Sequence, residues 1–229
     1  MKRIALATAC MVAALSTWAV GTALAAPEFF SEGEALPAKT KVAFTSKGVA
    51  SKWEMGVVME CESSTSKGDV EGQSLVKTKI TFSKCNIPSI TSSCQTAAKV
   101  GVITTELLQA PLTDASEEEG GSAKPVVKYE SEDAEKPVMK FTCGPKKELT
   151  FIVTGAMLAE IGPVNGPEST SGFIIGREKK GEKTSGCSKQ QFLFVEGLAP
   201  CIHLETGAGE MWLVTEETLT YKKPIEVRN

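Results

Sequence analysis

Trp53-Glu54-Met55-Gly56-Val57-Val58-Met59-Glu60-Cys61 is the stretch whose reading decides the fold. Trp53, Met55, Val57, Met59 and Cys61 fall on one face and Glu54, Gly56, Val58 and Glu60 on the other, the period of a half-buried strand. Glu62 to Gly72 is rich in Ser, Lys and Gly and predicts a loop. Next, Val76, Thr78, Ile80 and Phe82 alternate with Leu75, Lys77, Lys79 and Thr81, a second strand that ends at Cys85. Lys99 to Leu108 carries a third apolar run. Met139, Phe141 and Cys143 mark an inward edge like that of Met55 to Cys61.

Further out the pattern recurs. Short strands are expected at Lys41 to Ser46, Leu149 to Ile161 with a bend at Gly155, Phe173 to Arg177, Gln190 to Glu196, Met211 to Val214 and Leu219 to Tyr221. The one helical competitor, Glu216 to Leu219, is a single turn. Many short strands with frequent turns predict an all-β domain, an antiparallel sandwich or a partly closed barrel. Thr113 to Lys136 is the most polar stretch. Its glutamates lack the Asp-x-Asp-x-Asp-Gly spacing of a calcium loop, so it predicts a solvated hairpin loop.

The first residues speak to compartment. Lys2 and Arg3 precede the uncharged run Ile4 to Thr22, and Ala23-Leu24-Ala25 supplies small residues for cleavage, so residues 1–25 predict a signal peptide. Residues 26–37 predict a flexible leader, because Pro27, Pro37 and three glutamates frame only Phe29 and Phe30. Residues 38–229 then form one β domain. Losing Lys2 and Arg3 takes Lys+Arg from 25 to 23 against 28 Asp+Glu, a net charge of −5. That balance argues against a nucleic-acid partner, which needs a concentrated basic face. No later run is long and apolar enough to span a membrane. A secreted, extracellular or envelope location is expected.

Six cysteines follow the predicted cut, and 15 connectivities are possible for three disulfides. Cys85 and Cys94 enclose a short loop and suggest a local staple. Cys61 and Cys143 both end inward-facing edges and suggest a bond inside the core, which leaves Cys187 with Cys201.

The catalytic inventory is thin. His203 is the only histidine. Cys201-Ile202-His203 with Cys187 falls short of the four ligands and close hooks of structural zinc, and a thiol held in a disulfide cannot attack. No Gly-x-Ser-x-Gly elbow supports a serine nucleophile. No metal or cofactor is expected. Paired carboxylates for glycoside hydrolysis would need aromatics to hold sugar rings. The amphipathic aromatics are Trp53, Trp212, Tyr129 and Tyr221, candidate ligand contacts whose bland reading is core.

The strand ending in Cys61, Thr81-Phe82-Ser83-Lys84-Cys85, Cys94, Gly101-Val102-Ile103-Thr104-Thr105 and Phe141-Thr142-Cys143-Gly144 resemble a group of secreted, cysteine-containing β-rich proteins of high-GC Gram-positive soil bacteria. The likeness covers about two thirds of the chain after the predicted cut. The group carries no known activity, so the resemblance implies provenance and disulfides, not a chemistry. The leading expectation is a non-enzymatic exported domain binding a wall polymer, a secreted protein or a surface at the cell envelope. A secreted hydrolase using carboxylate or serine chemistry is the first alternative, and a secreted inhibitor or effector presenting Pro111 to Pro137 or Glu178 to Gly186 is the second.

Overall fold

The computed structural model describes residues 26–54, 57–116, 124–162, 168–175, 194–195, 204–206 and 209–228. In chain order the strands are β1 (Glu28–Ser31), β2 (Glu34–Ala35), β3 (Lys41–Gly48), β4 (Ser51–Glu54), β5 (Val58–Cys61), β6 (Ser63–Glu71) and β7 (Leu75–Ser83). β8 (Asn86–Ile87), a 3-10 turn at Pro88–Ile90, β9 (Ser92–Gln95), β10 (Val102–Thr104), β11 (Leu108–Ser116), β12 (Lys124–Ser131), β13 (Met139–Cys143) and β14 (Leu149–Gly155) follow. β15 (Met157–Gly162), β16 (Glu168–Ile175), β17 (Phe194–Val195), β18 (Leu204–Thr206) and β19 (Gly209–Arg228) complete the set.

Every pairing is antiparallel, and the pairings close into two circuits. The first runs β3, β6, β7, β11, β12, β15, β16, β19 and back to β3. Each member precedes the next in the chain, the order of an up-and-down barrel. The second runs β19, β4, β5, β8, β9, β13, β14, β18 and back to β19. It is built from excursions off the first: β4 and β5 leave between β3 and β6, β8 and β9 between β7 and β11, β13 and β14 between β12 and β15. β19 serves both, pairing with β18 and β4 over its first part and with β16, β3 and β1 over the rest. The all-β, antiparallel, disulfide-stapled architecture expected from sequence is the one observed. Its pairing runs the whole way round, which leaves few edges open.

Alternation explains the interiors. Val76, Thr78, Ile80 and Phe82 of β7 are buried, with Val42 and Phe44 of β3 and Leu108, Ala110 and Leu112 of β11. The second barrel is filled by Trp53, Met59, Ile87, Met139, Phe141 and Val153. Trp53 stands edge-on to Phe82 at 4.7 Å between ring centroids and to Phe141 at 6.5 Å, and Phe141 stacks on Phe151 at 5.1 Å.

Several local expectations are corrected. Trp53 to Cys61 is a hairpin, with Trp53 opposite Met59 and Ser51 opposite Cys61. Because these partners share parity, the alternation of apolar residues passes through the reversal unbroken. Glu62 to Gly72 is strand β6 rather than a loop. Its inward Ser64 and Ser66 are small enough to fit and find hydrogen-bond partners inside, while Thr65 and Lys67 are exposed. A Cβ on Gly68 would lie 2.1 Å from the Lys77 carbonyl oxygen and 2.8 Å from the Phe44 ring, so this position requires glycine. Residues 26–37 are not a loose leader, because Phe29 and Leu36 are buried and β1 pairs with β19, Phe29 opposite Val227. Of Thr113 to Lys136, residues 113–116 and 124–131 are strand, in β11 and β12, and 117–123 lie outside the described residues. The one-turn helix competitor lies within β19.

The disulfide pairing is also corrected: Cys61 bonds Cys85, and Cys94 bonds Cys143. The four cysteines occupy one row across neighbouring strands. Cys61 and Cys85 flank the Glu60–Asn86 pair, Cys94 N–H donates to the Cys85 carbonyl at 2.9 Å, and Cys143 is directly opposite Cys94. In such a row a Cys85–Cys94 bond would strand Cys61 and Cys143 three strand spacings apart, about 14 Å, beyond disulfide reach. The observed pairing uses all four. Cys187 and Cys201 lie outside the described residues, as do the predicted signal peptide and His203.

Candidate functional site

The aromatics proposed as ligand contacts are interior. Trp53 is fully buried and its indole N–H donates to Ser51 Oγ at 3.1 Å. Tyr129 and Tyr221 are buried in the first barrel, where Tyr221 packs edge-on to Phe44 at 6.0 Å. Trp212 pairs with Glu54 through β19, and its side chain falls outside the described residues. The expected bland reading of Trp53 as core is therefore what is seen, and none of these three rings forms an exposed sugar platform.

What sequence reasoning missed is a buried carboxylate. Glu217 of β19 is only 4% exposed and lies inside the first barrel. Ser64 Oγ donates to its Oε1 at 2.5 Å and Ser46 Oγ donates to its Oε2. The Ser66 hydroxyl then meets Ser46 Oγ at 2.5 Å, a chain of hydroxyls ending on the carboxylate. The buried Tyr129 lies close enough to feel it: burial pushes its phenol well above the ordinary range, and the charges of Tyr221 and Glu217 push the same way. The signal was present in Ser64, Ser66 and Val70, which alternate with Thr65, Lys67 and Asp69. It was hidden because serine is not apolar. Chemically the cluster is a satisfied polar network, which fixes the register of β3, β6 and β19 where both barrels meet.

A second perturbed acid is Asp114 of β11. Its Oδ1 is buried without a hydrogen-bond partner, and burial raises its carboxyl above the usual range. Among the described residues no three His, Cys, Asp or Glu side chains converge as metal ligands.

The outer face of the first barrel carries a groove of about 620 Å³ over β6 and β7. Two rows cross it. In one, Thr220, Thr45, Lys67 and Lys79 stand opposite one another in turn, and in the other Thr218, Lys47, Thr65, Thr81 and Thr104 do so. Lys67 and Lys79, directly opposed like charges, have no ion pair among the described residues, whereas Lys41 pairs with Glu71 and Lys77 with Glu132 at 2.6 Å. The hydrogen bond that Lys77 donates to Glu132 leads the upward shift of its ammonium. Thr81 and Thr104 hydroxyls meet at 3.3 Å. A smaller depression of about 520 Å³, lined by Lys52, Glu60, Glu62 and Asn86, sits beside Cys61. Asp114 lines neither. Among the described residues no helix is long and apolar enough to cross a membrane.

No protein-family model matches the chain, and neither does any curated protein or any solved structure.

Proposed function

We propose that the chain is an exported, non-enzymatic binding domain that acts at the cell envelope or on an extracellular surface, and that the groove over β6 and β7 is where it binds. The observation that carries this is the opposed Lys67–Lys79 pair in a groove whose other lining lysines, Lys41 and Lys77, are ion-paired. Like charges held face to face across a sheet are destabilising, so an anionic ligand would relieve a strain the fold otherwise keeps. Export is supported by the Lys2–Ala25 pattern and by two disulfides, bonds that persist in oxidising compartments. Over a hydrolase, the reading is supported by Glu217, whose two oxygens are both engaged by serines within the core, and by Asp114, which stands apart from both surface depressions.

The test is sedimentation of the oxidised protein with isolated cell walls and with insoluble polysaccharides. Saturable retention on walls is expected. Absence of retention on every wall preparation at low salt overturns the envelope reading.

A further inference from the structure

The groove's chemistry narrows its ligand, granted the binding role assigned to it above. Its free cations are lysines, and among the described residues no arginine lines it. Arginine's planar fork holds carboxylates and phosphates alike in a fixed bidentate geometry, whereas lysine is a point charge with three rotatable donors that can serve successive phosphate oxygens from several directions. Around Lys67 and Lys79 stand the hydroxyls of Thr45, Thr65, Thr81 and Thr104, groups that donate to phosphate oxygens and also accept from alcohols. Among the described residues no aromatic side chain lines the groove, so they offer no platform for stacking on nucleobases. Neighbouring strands are about 4.8 Å apart and same-face residues along one strand about 6.8 Å apart. The two rows therefore present a strip of donors crossing several strands, a shape suited to an extended chain rather than to a compact anion. The groove's lining sets Lys41, Lys67, Lys77 and Lys79 against Asp69, Glu71 and Glu132, so its positive excess is local to the Lys67–Lys79 pair in a protein whose formal charge is −3.

We propose that the groove over β6 and β7 binds a phosphodiester-linked polyol or sugar chain, with Lys67 and Lys79 on its phosphates and Thr65, Thr81 and Thr104 on phosphate oxygens and chain hydroxyls. Lys47, which stands between Thr218 and Thr65 in the adjoining row, extends the strip toward β19.

The experiment is calorimetric titration of the oxidised protein with soluble poly(glycerol phosphate), beside polygalacturonate and oligo(dT) as carboxylate and nucleic-acid comparators. Saturable binding of poly(glycerol phosphate) is expected, with affinity falling as salt rises at a slope near two released counterions. The double substitution Lys67→Gln/Lys79→Gln should weaken binding by about tenfold or more and flatten the salt dependence, whereas Lys99→Gln, outside the groove, should change it less than about twofold. The double variant must keep its urea midpoint, or raise it, since it removes an opposed pair of like charges. Equal binding of polygalacturonate or oligo(dT), or full affinity in the double variant, overturns the proposal. Retention on walls without binding of poly(glycerol phosphate) sinks this inference and leaves the envelope reading standing. Binding of poly(glycerol phosphate) without retention on walls does the reverse.

Discussion

The two barrels share only β19 and fill their interiors in opposite ways. The disulfide-bearing barrel is packed with Trp53, Met59, Ile87, Met139 and Phe141 and has both described disulfides in one row of its wall. The barrel that carries the groove spends part of its interior on Glu217, Ser46, Ser64 and Ser66. An apolar interior tolerates small errors of placement, because dispersion and burial are non-directional. A hydroxyl–carboxylate chain does not, since each member left unpaired carries its own desolvation penalty. The stapled barrel is therefore the stable base, and the polar one is the part whose register is specified most sharply.

Four perturbations would break or sharpen that contrast, the largest acting on the stapled barrel. Trp53→Ala should cost about 3–5 kcal/mol in urea unfolding, because it empties the space between Phe82 and Phe141. A cost under about 1 kcal/mol would mean that the apolar interior is not the base. Removing Cys94–Cys143, which spans 49 residues, should cost about 4 kcal/mol, and removing Cys61–Cys85, which spans 24, about 3 kcal/mol. Peptide mapping under non-reducing conditions gives an independent check, since a Cys85–Cys94 peptide would refute the row argument.

Glu217→Ala should cost about 1–3 kcal/mol by orphaning the hydroxyls of Ser46 and Ser64. Replacing the whole network by apolar residues, Glu217→Leu with Ser46, Ser64 and Ser66 each changed to Ala, should recover most of that loss. If the single and the combined variants are equally unstable, the network is not acting as a unit. The smallest effect is a pH effect in the same barrel. Tyr129 is held neutral above the ordinary phenol range, so the stability it confers is fully present below the unfolded pKa of about 10 and is lost as pH rises toward its folded value. Tyr129→Phe should therefore flatten the alkaline limb of the stability curve, measured by urea midpoints above neutral pH.

How legible this was in the sequence follows from what alternation can report. β7 was readable because Val76, Ile80 and Phe82 are apolar and regular. β6 was not, because its inward positions are Ser64, Ser66 and Gly68, which look like loop residues when the partner of Ser64, Glu217 of β19, 153 positions away, is not yet in view. The hairpin at Trp53 to Cys61 was invisible to periodicity because its register preserves parity, and Gly56 was the only local hint. β1 resembles a leader in the sequence because two phenylalanines between prolines cannot show that β19 lies beside them. The cysteines were all recognised, yet their partners depend on strand order around a barrel. The groove rests on cross-strand neighbours such as Lys67 and Lys79, twelve positions apart in sequence, and so appears only once the sheet is assembled.

The long strand β19 has a consequence for how the molecule comes into being. Both circuits close on residues 209–228, so a chain emerging from its N-terminal end holds two unfinished sheets until that segment arrives. Neither barrel can complete its wall first and trap the rest. Closure demands contacts between residues as distant as Phe44 and Tyr221, or Trp53 and Leu213, and such long-range pairing makes folding slow and late. For the export proposed above, that order keeps both sheets open during passage, and β19 is the latch for the strands that precede it.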